Sequence, residues 1–306
     1  MASGNAVWNR DNIYFGVTPT LWWNDDFLDI DIGITFGQCV SEMALAGYDG
    51  CSVGHKFPTD IGELTRELEL RRLRVSEPWT SLFFTCNEMH DKTVADFRKS
   101  LAFIKAMKGT DVVVAELGHS VHQQPLAILP NRPIFTDAQW DGLTHGLNEL
   151  GQIAKDAGMR LCYHHHMGTG VQIRAEVDRL VASTDANLVY LTLDTGHILF
   201  AGGDPLSLAT DYADRIKHVH LKNIRRPIME QALKDNLSFK ESIEAGIFTV
   251  PGDPDGCIDF RPIFQVLADH DYRGWLVVEA EQNPAKANPL RYATMARNYL
   301  RDVTGL

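Results

Sequence analysis

The 306-residue chain has no CxxC pair, no glycine-rich phosphate loop, no apolar run of bilayer length and a deficit of positive charge. Each absence removes a class. Five isolated cysteines (Cys39, Cys51, Cys86, Cys162, Cys257) build neither a disulfide framework nor a structural zinc site, and they suit a reducing compartment. Neither GxGxxG nor GxxxxGKS/T occurs, so no nucleotide cofactor is expected. A spanning helix needs ~20 apolar residues, and the polar stretch Met1–Asn12 lacks the core of a signal peptide. The expectation is a cytoplasmic protein with no membrane partner. With 29 Lys and Arg against 40 Asp and Glu, the net charge of −11 repels nucleic acid and argues against it as a partner.

What remains is an ordinary globular composition, 44% hydrophobic and 23% charged, arranged in a rhythm. Short β-rich runs recur at Ile13–Val17, Gly50–Val53, Leu73–Val75, Val112–Ala115, Arg160–Tyr163, Val189–Leu193, Ile216–Val219 and Gly274–Val278. They are continuous rather than alternating, as parallel strands covered on both faces are. Amphipathic stretches lie between them at Phe36–Ala46, Asp60–Arg72, Ala95–Met107, Asp137–Ala157, Ile173–Ser183, Leu206–Tyr212 and Phe260–His270, with a last helix over Leu290–Leu300. Thr136 followed by Gln139 predicts a capping box, and Gly158 predicts the matching stop. Alternating strands and helices over a chain of this length predict an α/β fold of one domain, a (β/α)8 TIM barrel over residues 1–306. The segment 225–256 breaks the rhythm with Pro227, Pro251, Gly252, Pro254 and Gly256. Such a late insertion is expected to cover the active site.

Barrel chemistry sits at the carboxyl ends of the strands. The fifth run leads into His164, His165 and His166, the sixth ends at Asp194 and continues to His197, the seventh carries His218, His220 and Lys222, and the eighth ends in Glu279 and Glu281. Alternation turns His218 with His220, and His164 with His166, to common sides. One donor from each of four neighbouring strands can hold one ion. The expected ligands are His164, with His166 as its rival, Asp194, His220 and Glu279, which leaves the apolar run before Glu281 does. Mixed nitrogen and oxygen donors suit Mn2+, Co2+, Fe2+ or Zn2+ over Ca2+. Elsewhere Glu116, Ser52, His55 and the aromatic and acidic run Trp22 to Asp26 fall at strand ends, a mixture suited to a polyol.

The stretches Tyr163-His164-His165-His166-Met167-Gly168-Thr169-Gly170-Val171-Gln172, Asp194-Thr195-Gly196-His197, His218-Val219-His220-Leu221-Lys222, Phe248-Thr249-Val250-Pro251-Gly252-Asp253 and Val278-Glu279-Ala280-Glu281-Gln282 resemble the myo-inosose-2 dehydratases, xylose-isomerase-like TIM barrels of inositol catabolism. The resemblance spans nearly the whole chain. It implies loss of water from 2-keto-myo-inositol to a cyclic diketone, with Mn2+ or Co2+. It also implies a metal set including Asp194, His220 and Glu279, and it aligns Arg225 with a substrate-contacting arginine of related epimerases. The chain departs from the family at Ser52, where close dehydratases carry Glu, at Asn223, where they carry Asp, and in a longer loop at Asp253-Pro254-Asp255-Gly256.

Elimination β to a ketone needs an acidified α-proton, a base and an acid for the departing hydroxyl. Lys222 beside a metal is expected to have a lowered pKa and to act as base or enolate partner. His197 and His166 are the candidate acids, and Glu116 the remaining base. Trp23, His55, Arg225 and Ser52 are the candidate substrate contacts. The expected partner is a small keto-polyol, and the expected assembly a homo-oligomer. Two alternatives share the metal: a keto-sugar isomerase or epimerase, and a β-eliminase of 3-keto-glycosides.

Overall fold

A computed structural model describes Trp8 and residues 10–306, so residues 1–7 and 9 of the polar amino-terminal stretch lie outside the described residues. The chain begins with β1 (Ile13–Val17), α1 (Phe36–Ala46), β2 (Gly50–Cys51), α2 (Ile61–Leu70), β3 (Arg74–Val75), β4 (Trp79–Leu82), α3 (His90–Ala106) and β5 (Asp111–Glu116). It continues through α4 (Ile128–Asn131), α5 (Asp137–Asp156), β6 (Arg160–His164), α6 (Arg174–Ser183), β7 (Val189–Asp194), α7 (Thr195–Phe200), α8 (Pro205–Tyr212) and β8 (Ile216–Leu221). The last third holds β9 (Asn223–Ile224), α9 (Arg226–Lys234), α10 (Phe239–Ala245), β10 (Phe248–Thr249), α11 (Phe260–Asp269), β11 (Gly274–Val278) and α12 (Pro289–Thr304).

Nine strands form one parallel sheet in the order β3-β2-β1-β11-β8-β7-β6-β5-β4. Its two ends, β3 and β4, are halves of one strand, separated only by Ser76, Glu77 and Pro78. The first half pairs with β2 and the second with β5, so the chain itself bridges the barrel's seam. The expected strand at Leu73–Val75 is therefore half of an interrupted element. Pro78 has no N–H to give a ladder, but its carbonyl accepts from Val113 N at 3.2 Å. The break is what turns the Glu77 side chain into the barrel interior, where it is 2% exposed.

Local rules account for the helix limits. Thr35 caps α1 by accepting from Gln38 N at 3.2 Å, and Gly47 ends it in the left-handed conformation. Thr136 and Gln139 form the predicted capping box. Gly158 follows Ala157 with φ +75°, so α5 stops where the glycine pattern placed it. Helix α3 starts at His90, earlier than expected, because Met89 offers no side-chain cap and so no signal. The segment 225–256 is built of α9, α10 and the antiparallel β9–β10 pair. Among the described residues no helix is long and apolar enough to cross a membrane.

Candidate metal centre and cavity

Register brings the polar strand ends together. Asp194 closes β7 opposite His220 of β8, His164 closes β6 opposite Thr192 of β7, and Glu279 follows β11 with its amide on Leu221 O. His164 Nε2 lies 3.3 Å from Asp194 Oδ2, and His220 Nδ1 lies 3.9 Å from the same oxygen. His220 Nδ1 also meets Glu279 Oε2. One donor atom from each of the four residues falls within 4.8 Å of the others. His220 Nδ1 and Glu279 Oε2 are buried without a hydrogen-bond partner despite their contact. Orphaned nitrogen and oxygen atoms aimed at one point fit a divalent cation of the zinc or manganese type.

Asp194 serves two elements at once. Its Oδ1 accepts from His197 N at 2.7 Å and caps α7, which frees Oδ2 for the centre. Helix α7 springs directly from the strand, and Gly196 lets Lys222 pass: a Cβ there would stand 2.5 Å from Lys222 Cγ. Lys222 Nζ then sits 2.8 Å from both His197 Nε2 and Glu281 Oε1, with Asp194 Oδ2 at 3.4 Å.

The electrostatics follow from burial and these pairings. Burial alone would lower the Lys222 pKa, but Asp194, Glu279 and Glu281 outweigh it and hold the ammonium charged well above its ordinary value. Burial pushes His165 and His166 down to about 4 and takes His164 and His197 well below their usual value. His220 goes the other way, to about 10, because Glu279 and Glu77 overcome its burial. Glu281 is raised by burial and by Glu279, whereas Glu279 is lowered, against its burial, by Lys222 and His220.

Beside the four donors opens a cavity of about 240 Å³. Ser52, His55, His166, His220, Glu279 and Glu281 line it, together with Asp25, Asp26, Glu77, Trp79 and His122. Trp79 packs edge-on against His164 and His166, with ring centroids 5.5 and 5.9 Å apart. Asp25 holds His55 by its ring Nδ1 and by its amide at 2.9 Å. Phe239 and Phe248 of the segment 225–256 pack edge-on against the buried histidines, Phe239 at 5.6 Å from the His166 ring and Phe248 at 5.8 Å from that of His197.

Three expected residues stand elsewhere. Glu116 is consumed by structure: its oxygens accept from Phe84 N at 2.9 Å, Thr85 Oγ1 at 2.8 Å and Gly118 N at 2.9 Å, and it is not in the cavity wall. Arg225 binds Asp253 at 2.6 Å and the carbonyls of Gly246 and Phe248 at 2.8 and 3.1 Å, so its guanidinium ties the insertion together. Trp23 is fully buried, with its Nε1 on Asp25 at 3.2 Å, and supports the loop beneath the wall. Glu77 and Trp79 were missed because they follow a two-residue strand and flank a proline. The doublet Glu77-Pro78 inside a β-rich run was the available signal.

Comparison with known proteins adds a second line. Residues 40–302 match the xylose isomerase-like TIM barrel family. An inosose dehydratase of Clostridium tetani is 45% identical over 297 residues, covering 97% of this chain and 99% of its own. One from Bacillus thuringiensis is 44% identical over 301 residues, covering 98% and 100%. Among solved structures, the IolI protein with a bound zinc atom superposes with a TM-score of 0.70 at 16% identity, covering 95% of this chain and 98% of its own.

Proposed function

The chain belongs to the xylose isomerase-like TIM barrel family and, within it, to the inosose dehydratases, and we propose that it removes water from 2-keto-myo-inositol. The observation that carries this reading is the convergence of His164, Asp194, His220 and Glu279 beside a cavity of about 240 Å³, which His220 and Glu279 reach. That volume lies below the ~300 Å³ floor of drug-sized sites and suits a single six-membered ring.

A divalent ion on those four residues, Mn2+ or Co2+ ahead of Zn2+ or Fe2+, would supply Lewis-acid polarisation of the ketone. The remaining work falls to side chains. His166 donates its Nδ1 proton to Met167 O at 2.8 Å, which leaves Nε2 with a free lone pair, and burial keeps the ring neutral. It is the base for the α-proton. As that C–H bond breaks, a C=C bond forms and the β C–O bond opens. Glu281, whose raised pKa keeps a proton within reach, protonates the departing hydroxyl to water. The charged Lys222 balances the developing negative charge from below. His197, bonded to Lys222, orients that ammonium. Ser52 and His55 contact the ring hydroxyls from the opposite wall. The enolic product then tautomerises to the cyclic diketone. The segment 225–256 acts as a cover, which is supported by Phe239 and Phe248 against the histidines.

The test is incubation of Mn2+-loaded protein with 2-keto-myo-inositol, reading the ultraviolet absorbance of the diketone. Growth of that band is expected, and its loss on chelation. No band, with turnover of a 3-keto-glycoside, overturns the substrate assignment.

A further inference from the structure

Three groups of histidine nitrogens and carboxylate oxygens in the barrel lie within 4.8 Å of one another. The first is the centre just described. The second, His166, His197 and Glu281, already holds a cation of the protein's own, since Lys222 Nζ is 2.8 Å from His197 and from Glu281. The third is Glu77, His218 and His220, created by the break between β3 and β4.

Its contacts are loose ones. Glu77 Oε2 is 3.3 Å from His218 Nε2, and Glu77 Oε1 is 3.4 Å from His220 Nε2. Both spacings are longer than the ~2.7–2.9 Å of a charge-assisted N–H···O bond. All four atoms are buried without a hydrogen-bond partner, and their residues are 2%, 0% and 3% exposed. Each such orphan costs about 1–3 kcal/mol unless something satisfies it. Donors held on a tetrahedral ion by bonds of ~2.0–2.2 Å stand ~3.3–3.6 Å apart, and each histidine nitrogen stands 3.3 or 3.4 Å from its own oxygen of Glu77. His218 is also braced as ligating histidines are: its Nδ1 faces Asp111 Oδ2 at 3.4 Å, and Arg160 grips Asp111 at 2.6 and 2.9 Å.

We propose that Glu77, His218 and His220 form a second divalent-cation site of zinc type, deeper in the barrel than the first and sharing His220 with it. Two nitrogens and one oxygen favour zinc over magnesium or calcium. Glu77 and His220 line the cavity, which gives the ion its entry. His220 turns Nδ1 toward Asp194 and Glu279 and Nε2 toward Glu77. His220 would thus offer Nδ1 to the first ion and Nε2 to the second. The deep ion takes no part in the elimination. It fixes the bridging ring.

The experiment counts metal rather than turnover, so its result is independent of the substrate assignment. Metal-free protein is equilibrated with Zn2+ alone, dialysed and assayed by mass spectrometry, and Co2+ uptake is followed by its visible spectrum. The wild type takes up two equivalents. E77Q and H218N each retain one. The double variant D194N/E279Q, which dismantles the first centre, also retains one, with the intense visible bands of four-coordinate Co2+. A single equivalent in the wild type overturns the proposal. So do two equivalents in a folded E77Q or H218N, or none in D194N/E279Q. If E77Q and H218N do not fold, the wild-type and double-variant counts decide alone.

Discussion

The Nζ atom of Lys222 lies 2.8 Å from Oε1 of Glu281 in the barrel interior, where Lys222 has no exposed surface. Asp194 and Glu279 complete the charge around it at 3.4 and 3.8 Å. A buried ion pair broken from one side leaves an uncompensated charge, which costs about 3–5 kcal/mol. K222M is therefore expected to lose about that much stability in denaturant unfolding, and to lose turnover with it. A variant as stable as the wild type would show that the three carboxylates do not depend on the ammonium.

The two histidines flanking His165 are expected to separate by function. His164 Nε2 reaches Asp194 at 3.3 Å, whereas the His166 ring lies tilted 4.1 Å from that of His197 and lines the cavity. H164A should weaken metal binding by more than the ~10–100-fold that loss of an outer partner costs. H166A should leave metal affinity within a few-fold and lower kcat by ~10²–10⁴. Metal titration with steady-state kinetics on both variants separates the roles, and the reverse pattern would exchange them.

Much of this centre could be read before any coordinates, because strand alternation and parallel register are strict rules. Asp194 and His220 end neighbouring strands, as that pattern predicts, but their direct pairing also depends on a register irregularity between Leu191 and Thr192 that the sequence does not announce. Glu77 could not be read that way, since its position depends on an interrupted strand whose halves pair with different neighbours. The surroundings of Glu116 and Arg225 were hidden for another reason. A strand-end carboxylate or a loop arginine looks the same in sequence whether it faces a cavity or a backbone. Only the three-dimensional path of Phe84–Gly118 and of Gly246–Asp253 shows that their charges are spent on backbone N–H groups in one case and backbone carbonyls in the other.

Arg225 gathers the ends of the insertion, binding Gly246 O, Phe248 O, Thr249 and Asp253 from a single guanidinium. R225A should free residues 226–249 to open locally while the barrel stays closed. Hydrogen exchange is expected to accelerate about tenfold or more in α9, α10 and β10, an opening cost reduced by roughly 1.4 kcal/mol, with β5 to β8 unchanged. Equal protection in both proteins would show that Phe239 and Phe248 hold the segment without the arginine.

Asp26 ties the loop after β1 to the loop after β5, accepting from Gln123 Nε2 at 2.8 Å and facing His122 Nε2 at 3.5 Å. Burial alone would raise its pKa, but the hydrogen bond and charge of His122, with help from His166 and Gln123, bring it down to about 2. In the unfolded chain an aspartate titrates near ~3.9. A carboxyl whose pKa is lower in the folded state stabilises that state above its unfolded value, and the contribution disappears as pH falls through the folded one. The window therefore runs from pH ~4 down to about 2. D26N has no such group to titrate. Urea midpoints measured in steps across this window should fall more steeply for the wild type than for D26N, and the two curves should draw together at the acid end. Parallel curves would mean that Asp26 is as free to take its proton in the folded protein as in the unfolded chain.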